Sequence, residues 1–310
     1  MENAKYLVDM HCHTVRSDGC DTPGEFVKAA LSRGMKAVAI ADHDIRPPSE
    51  VEIDGETIPL SDIETRFGLI VVPATEISCD TDVEDVHVLG YACDWNDPFF
   101  DRMERAVIDS KIESYQVLIE RLNEDGIAVR WEDILERNGI TAEEIQKKYI
   151  FEEIAHRGYT ETWQDAKLLV KRTKKYNINR KKPDPVETIG EIHRCGGLAV
   201  LAHPYLITDP PYEGMTRDRY IDRLIDAGLD GIEVSYTYDK TSYGGTLTKE
   251  QIIAEVEGKY RGRVTYLTGG SDYHGDHKKG VENAREIGEC GLVFGDRATT
   301  EILSKFRGVK

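Results

Sequence analysis

Short apolar runs that end in polar, metal-competent side chains recur along the chain, each followed by a stretch with helical spacing. Tyr6 to Met10 runs into His11-Cys12-His13, and Ala37 to Ile40 into Asp42-His43-Asp44. Leu69 to Pro73 leads to Glu76, Val86 to Tyr91 contains His87, and Leu198 to Leu201 leads to His203. Gly231 to Val234 ends at Ser235-Tyr236, and Val264 to Leu267 leads to Ser271-Asp272-Tyr273-His274. Length and β-branched content make these runs strands. Between them, Thr22-Pro23-Gly24-Glu25 combines an N-cap hydroxyl, a proline at the first helical position and a carboxylate three residues after the cap. Similar helical stretches at about 187–195, 217–228 and 248–259 precede further strands. Strand, helix, strand in that order, repeated about seven times, predicts a parallel α/β sheet that closes or nearly closes into a barrel.

One region breaks the rhythm. From Pro98 to Asp184 the chain reads as helix, with an amphipathic face of Met103, Ile108, Ile112, Tyr115 and Ile119, and no strand there ends in a ligand. The expected organisation is a barrel of residues 1–97 and 185–310 with a helical insertion at 98–184. An insertion after a barrel strand lies over the mouth and can act as a lid, or it can simply add packing.

Composition narrows the setting. The six cysteines are scattered without a CxxC pair, and no apolar run approaches the roughly 20 residues that span a bilayer. The start, Met-Glu-Asn-Ala-Lys-Tyr, lacks the basic and apolar regions of a secretory signal, so a cytoplasmic protein with free thiols and no membrane partner is expected. A net charge of −17 disfavours a grip on long duplex nucleic acid. A small phosphorylated substrate needs only a local reversal of that field, which metal cations provide. The stretch from Lys167 to Lys182 is the basic exception in this acidic chain, and reads either as a surface that steers a polyanion or as a solvated helix face. No GxGxxG or GxxxxGK[ST] loop is present.

Six of the nine histidines fall at the ends of predicted strands, where a barrel gathers its functional side chains. His-x-His on a strand turns both imidazoles to one face and Cys12 to the other, and imidazole with carboxylate is a ligand set for zinc, manganese or iron. The segments VDMHCHTVRSDG, AIADHD, PATEIS, VHVLGY, LAHPY and GGSDYHG, in that order, resemble the motif set of the PHP (polymerase and histidinol phosphatase) family of metal-dependent phosphoesterases. That resemblance implies a distorted (β/α)7 TIM-like barrel holding two or three divalent ions of Mn, Zn or Fe. It assigns His11, His13, Glu76 and Asp272 to one metal. Glu76 would bridge to a second at His87 and His203, and Asp18, His43 and His274 would hold a third. Many members carry histidine where Asp18 stands, and the aspartate pattern with the helical insert resembles a subgroup acting on nucleoside monophosphates, bisphosphates and short RNA. Its insert commonly supplies an Arg-His pair to the phosphate; the comparable stretch here is Phe151 to Arg157, a loose correspondence.

The implied chemistry is phosphate-ester hydrolysis by a hydroxide bridging the metals at Glu76, with no side-chain nucleophile. Asp272 would accept the attacking proton, and His203 or His274 would protonate the leaving oxygen. Asp42 and Asp44 are read either as partners fixing the His43 tautomer or as turn residues. Arg16, Arg157 and Arg180 are the candidate substrate contacts. Three alternatives stand beside this reading. Histidinol-phosphate phosphatase shares the motifs but is disfavoured by the insert and Asp18. An amidohydrolase or deaminase uses His-x-His with a bridging lysine where Glu76 stands. A non-enzymatic, metal-stabilised binding module should have lost ligands that this chain retains.

Overall fold

The computed structural model describes residues 5–307, so the first residues of the segment read for a secretory signal, Met1 to Ala4, lie outside the described residues. The chain forms two compact units, Met1–Met103 with Pro183–Lys310, and Glu104–Lys182. In chain order the elements are β1 (Val8–Asp9), α1 (Pro23–Ser32), β2 (Ala37–Ile40), β3 (Glu50–Ile53), β4 (Glu56–Pro59), α2 (Leu60–Phe67), β5 (Ile70–Cys79) and β6 (Val86–Tyr91). Then come α3 (Pro98–Glu124), α4 (Trp131–Asn138), α5 (Lys147–His156), α6 (Trp163–Arg172), α7 (Pro185–Arg194), β7 (Leu198–Leu201), α8 (Arg217–Asp226), β8 (Gly231–Ser235), α9 (Lys249–Tyr260), β9 (Tyr266–Gly269) and α10 (Arg297–Phe306).

Seven strands form one sheet in the order β1-β2-β5-β6-β7-β8-β9. Its two ends meet, because Met10 N donates to Gly269 O at 3.1 Å, Asp272 N to His11 O at 2.8 Å and His13 N to Tyr273 O at 2.8 Å. The sheet is therefore a nearly closed barrel with helices outside. Thr22 and Glu25 make the reciprocal cap of α1 that the sequence predicts. Alternation along the strands separates two layers. Val8, Ala37, Ala39, Val72, Ala74, Leu89, Tyr91 and Val200 pack with Phe306 of α10, while Val38, Ile40 and Cys12 pack with Phe26 and Ala30 of α1.

The expectation of an all-parallel sheet is corrected at β6, which runs antiparallel to both β5 and β7. Only residues 80–85 join β5 to β6, too few for a crossover, so the two strands close as a hairpin. The reversal has a functional consequence. It brings the start of β6 rather than its end to the barrel mouth, and His87 is the second residue of that strand. A second hairpin, β3–β4, lies outside the predicted rhythm; it turns at Asp54-Gly55, both with positive φ.

The other unit is helical. Tyr115, Leu118, Ile119 and Leu122 of α3 pack with Ile134 of α4, Ile150, Phe151 and Ile154 of α5, Ala166 and Val170 of α6, and Tyr176. This unit thus has its own apolar core. Among the described residues, no helix is long and apolar enough to cross a membrane.

Candidate metal centre

Strand ends converge at the barrel mouth. Alternation along β5 carries Val72, Ala74 and Glu76 to the inner face, so the carboxylate of Glu76 stands among buried imidazoles. His11 and His13 follow β1 and Asp272 follows β9. His203 and Asp272 hold φ values of 26° and 53°, left-handed backbone that breaks the strand alternation just where the side chains are needed. Gly270 is required for the approach of the β9 end to β1, since a Cβ there would lie 2.3 Å from His11 Cβ.

The first ligand group is His11, His13, Glu76 and Asp272, all buried. Glu76 Oε2 lies 3.0 Å from His11 Nε2 and 3.2 Å from His13 Nε2. Asp272 Oδ1 lies 3.0 Å from His13 Nε2 and 3.6 Å from His11 Nε2, and the two imidazole nitrogens are 3.1 Å apart. A tetrahedral ion with ligands at about 2.0–2.1 Å needs edges of roughly 3.3 Å, so these atoms already outline such a site. The other oxygen of Glu76, Oε1, meets His87 Nδ1 and His203 Nε2, each at 2.9 Å. His43 Nδ1 approaches Oε2 at 3.2 Å but has no hydrogen-bond partner among the described residues. His274 Nε2 lies 3.0 Å from Asp18 Oδ1, and these two group with His13 and His43. All nine ligand residues expected from the sequence therefore meet in one place, with His13, His43 and Glu76 each shared between two groups.

Residues missed in the sequence explain why the nitrogens point inward. Glu233 of β8 is buried, and its carboxylate sits 3.2 Å from His11 Nδ1 while accepting the backbone N–H of His203 at 2.9 Å. Held this way, His11 keeps a proton on Nδ1 and turns Nε2 to the oxygens of Glu76 and Asp272. Burial opposes a charge on His11, but Glu76, Glu233 and Asp272 raise it well above the ordinary histidine value, so in the metal-free chain a proton stands where a metal ion would replace it. His274 is fixed similarly, with Nδ1 donating to the Asp272 carbonyl at 2.8 Å. Asp9 accepts from Ser271 N, Ser271 Oγ and Gly288 N, which pins the backbone next to Asp272. A charged residue in the middle of an apolar strand, as in Gly231-Ile-Glu-Val-Ser, was the available signal for Glu233.

Two expectations change. Asp42 accepts from Thr14 N, Thr14 Oγ1 and Ser17 Oγ, and Asp44 from Ser78 N, so both brace the chain around the ligands rather than the His43 ring. Asp272 turns Oδ2 to Tyr236 Oη at 2.7 Å and to Arg285 Nη1 at 2.6 Å. Both Asp272 oxygens are thus engaged, and the guanidinium beside Oδ2 disfavours a proton on that oxygen.

Charge is densely coupled here. Burial disfavours the charged form of every group, yet His11, His43 and His87 hold Glu76 well below the usual carboxyl range. Burial likewise opposes a charge on His13, but Asp272 and Glu76 outweigh it and raise the imidazole to about 9. Burial depresses His43 to about 3, with neighbouring His13 and His87 reinforcing it against Glu76.

A cavity of about 320 Å³ opens onto this cluster, lined in part by His43, His87, Lys240, Lys279 and Arg285. Its cations follow the last ligand motif or the β8 end and were not among the expected contacts. Arg16 is exposed and donates to the Arg46 carbonyl. In the helical unit, Arg157 pairs with Glu153 and Asp133, and Arg180 binds Tyr115 Oη at 2.7 Å.

The barrel and the ligand cluster at its mouth define a metal-dependent phosphoesterase. The chain belongs to the PHP domain family, whose pattern it matches over residues 9–177. It is 27% identical over 276 residues to a phosphoribosyl 1,2-cyclic phosphate 1,2-diphosphodiesterase of Eggerthella lenta, covering 87% of this chain and 94% of the relative. A 5'-3' exoribonuclease of Haemophilus influenzae is 26% identical over 283 residues, covering 86% and 89% respectively. The crystal structure of a candidate metal-dependent phosphoesterase from Bifidobacterium adolescentis superposes with a TM-score of 0.65 at 28% identity, covering 100% of this chain and 99% of that one.

Proposed function

We propose that the chain hydrolyses phosphate esters of nucleotides, either nucleoside mono- and bisphosphates or the ends of short oligonucleotides, using two or three ions of manganese, zinc or iron. The observation that carries this reading is Glu76, whose two oxygens face separate sets of imidazoles, as a carboxylate bridging two metals requires. Bound divalent ions supply neutralisation of the phosphoryl charge and a water acidic enough to attack at neutral pH.

The chain's own residues do the rest. His11, His13, Glu76 and Asp272 would hold a first ion, Glu76 with His87 and His203 a second, and Asp18, His43 and His274 a third. Glu233 fixes the His11 tautomer, while Tyr236 and Arg285 keep Asp272 presenting Oδ1 alone. Lys240, Lys279 and Arg285 line the cavity that would receive the phosphoryl group; Lys240 is paired with Glu289 and Arg285 with Asp272 and Asp276, which leaves Lys279 as the least compensated charge. His203 and His274 act as ligands, since each turns Nε2 to a carboxylate of the cluster. The central acidic residue also argues against the deaminase reading, which calls for a lysine at that place. Six free cysteines fit a reducing, cytoplasmic setting.

The test is a phosphate-release screen over nucleoside monophosphates, bisphosphates, histidinol phosphate and short RNA, each with manganese, zinc and iron. Turnover is expected on nucleotides or RNA. Turnover confined to histidinol phosphate would reject the substrate class, and no release with any metal would reject hydrolysis.

A further inference from the structure

The helical unit contains a cleft of about 510 Å³ between α5 and α6, whose lining joins four lysines to two aromatic rings. On α6, Trp163, Lys167 and Lys171 recur every fourth residue and so share one face, about 6 Å apart along the axis. Lys147, Lys148 and Phe151 come from the first turns of α5. Lys148 is paired with Glu152 at 3.1 Å and lies 5.3 Å from the centre of the Trp163 ring. Lys147, Lys167 and Lys171 have no carboxylate partner among the described residues.

The helical unit also differs in charge from the rest of the chain. Net charge is −17 overall, but residues 104–182 carry 16 Lys and Arg against 15 Asp and Glu. In the same basic stretch Lys175 pairs with Glu124 and Asp125, and Lys181 with Glu113. Cations gathered without counter-charge repel one another, and an anion with several charges at helical-turn spacing relieves that repulsion. Half-buried Trp163 and the edge of Phe151 offer flat apolar surface between the charges. Lysines tracking a backbone beside aromatic rings that receive bases are how single strands are held without sequence preference.

We propose that this cleft binds a single-stranded oligonucleotide, with Lys147, Lys148, Lys167 and Lys171 on its phosphates and Trp163 against a base. The site is independent of the metal chemistry. A chain without turnover would still bind there, and a chain that hydrolyses mononucleotides would do so without it.

The experiment uses the full-length, metal-loaded protein and a fluorescently labelled ten-nucleotide RNA with phosphorothioate linkages that resist cleavage. Anisotropy titrations over a range of salt compare the wild type with the double variant K167E/K171E. Both lysines are exposed, so melting temperature should hold and serves as the check on folding. The expected result is at least a tenfold weaker Kd and a salt slope reduced by about 1.4, from about 0.7 per lost phosphate contact on a single strand. Trp163→Leu should weaken binding without changing the slope; if it lowers folding stability, the lysine pair alone decides. Equal affinity in wild type and double variant would overturn the proposal. So would complete competition by a poly-glutamate peptide at equal charge, which would make the cleft a general acidic-ligand site.

Discussion

Glu76 and Glu153 are both buried carboxylates, one at the barrel mouth and one in the core of the helical unit. Glu153 is met by two guanidiniums, Arg137 at 2.8 Å and Arg157 at 2.6 Å, so its charge is balanced within the protein. Glu76 is met by five imidazoles, those of His11, His13, His43, His87 and His203. Imidazoles can give up their proton to a metal, as guanidiniums cannot, and around Glu76 one of them, His11, is held by Glu233 with Nε2 facing inward. A buried anion with guanidinium partners is a structural pair. The same anion ringed by oriented nitrogens is a candidate cation site. Partner chemistry, rather than burial, separates the two roles.

Substituting both residues should break the symmetry of burial. Glu76→Gln should lower phosphoesterase turnover on the order of a thousandfold, the loss of several kcal/mol of charge stabilisation at a multi-metal centre. Loss of less than tenfold in a steady-state assay would show that Glu76 is not central. Glu153→Gln should instead destabilise folding by about 1–3 kcal/mol, because it weakens the charge-assisted hydrogen bonds to Arg137 and Arg157, while Arg157 keeps Asp133. Denaturant melts of that variant, with unchanged metal content in the folded fraction, would confirm the contrast. Glu233→Gln touches no substrate and should weaken metal binding by roughly 10- to 100-fold, the effect of losing an outer partner that fixes a ligand tautomer. Competition with a fluorescent chelator reads this directly, and unchanged affinity would remove Glu233 from the account.

The smallest effect is one of pH. His13 is raised to about 9 in the metal-free chain, first against burial and then by Asp272 and Glu76. Its charged form therefore contributes stability below the ordinary histidine value of 6.5, and that contribution is lost as pH rises through about 9. Metal needs the neutral ring, so metal affinity should climb with pH up to about 9, and binding at pH 7.5 should release a proton. Calorimetry in buffers of differing ionisation enthalpy measures that release. No proton release would contradict the assigned protonation state.

Most candidate ligands were legible because they are histidines or carboxylates that follow an apolar run, a local pattern, whereas Asp18 was reached only through the resemblance. His87 shows the limit of that logic. Its strand looks like the others, and only the brevity of residues 80–85 indicates that β6 turns back and reaches the mouth from its first residues. Glu233, Asp9 and Arg285 were missed for a different reason. They act through partners 222, 262 and 13 residues away, His11, Ser271 and Asp272, and no spacing rule links such pairs before the barrel closes. The expected substrate arginines show the converse: Arg157 and Arg180 look available as residue types, yet Arg157 is bound to Glu153 and Arg180 to Tyr115.

The central claim is that Glu76 bridges two metal ions, and metal stoichiometry tests it most directly. Elemental analysis of the purified chain after manganese or zinc loading should give at least two ions in the wild type, falling below one in Glu76→Gln while the fold persists by circular dichroism. A wild type that binds a single ion, or a Glu76→Gln variant that keeps its full complement, would contradict the bridging role.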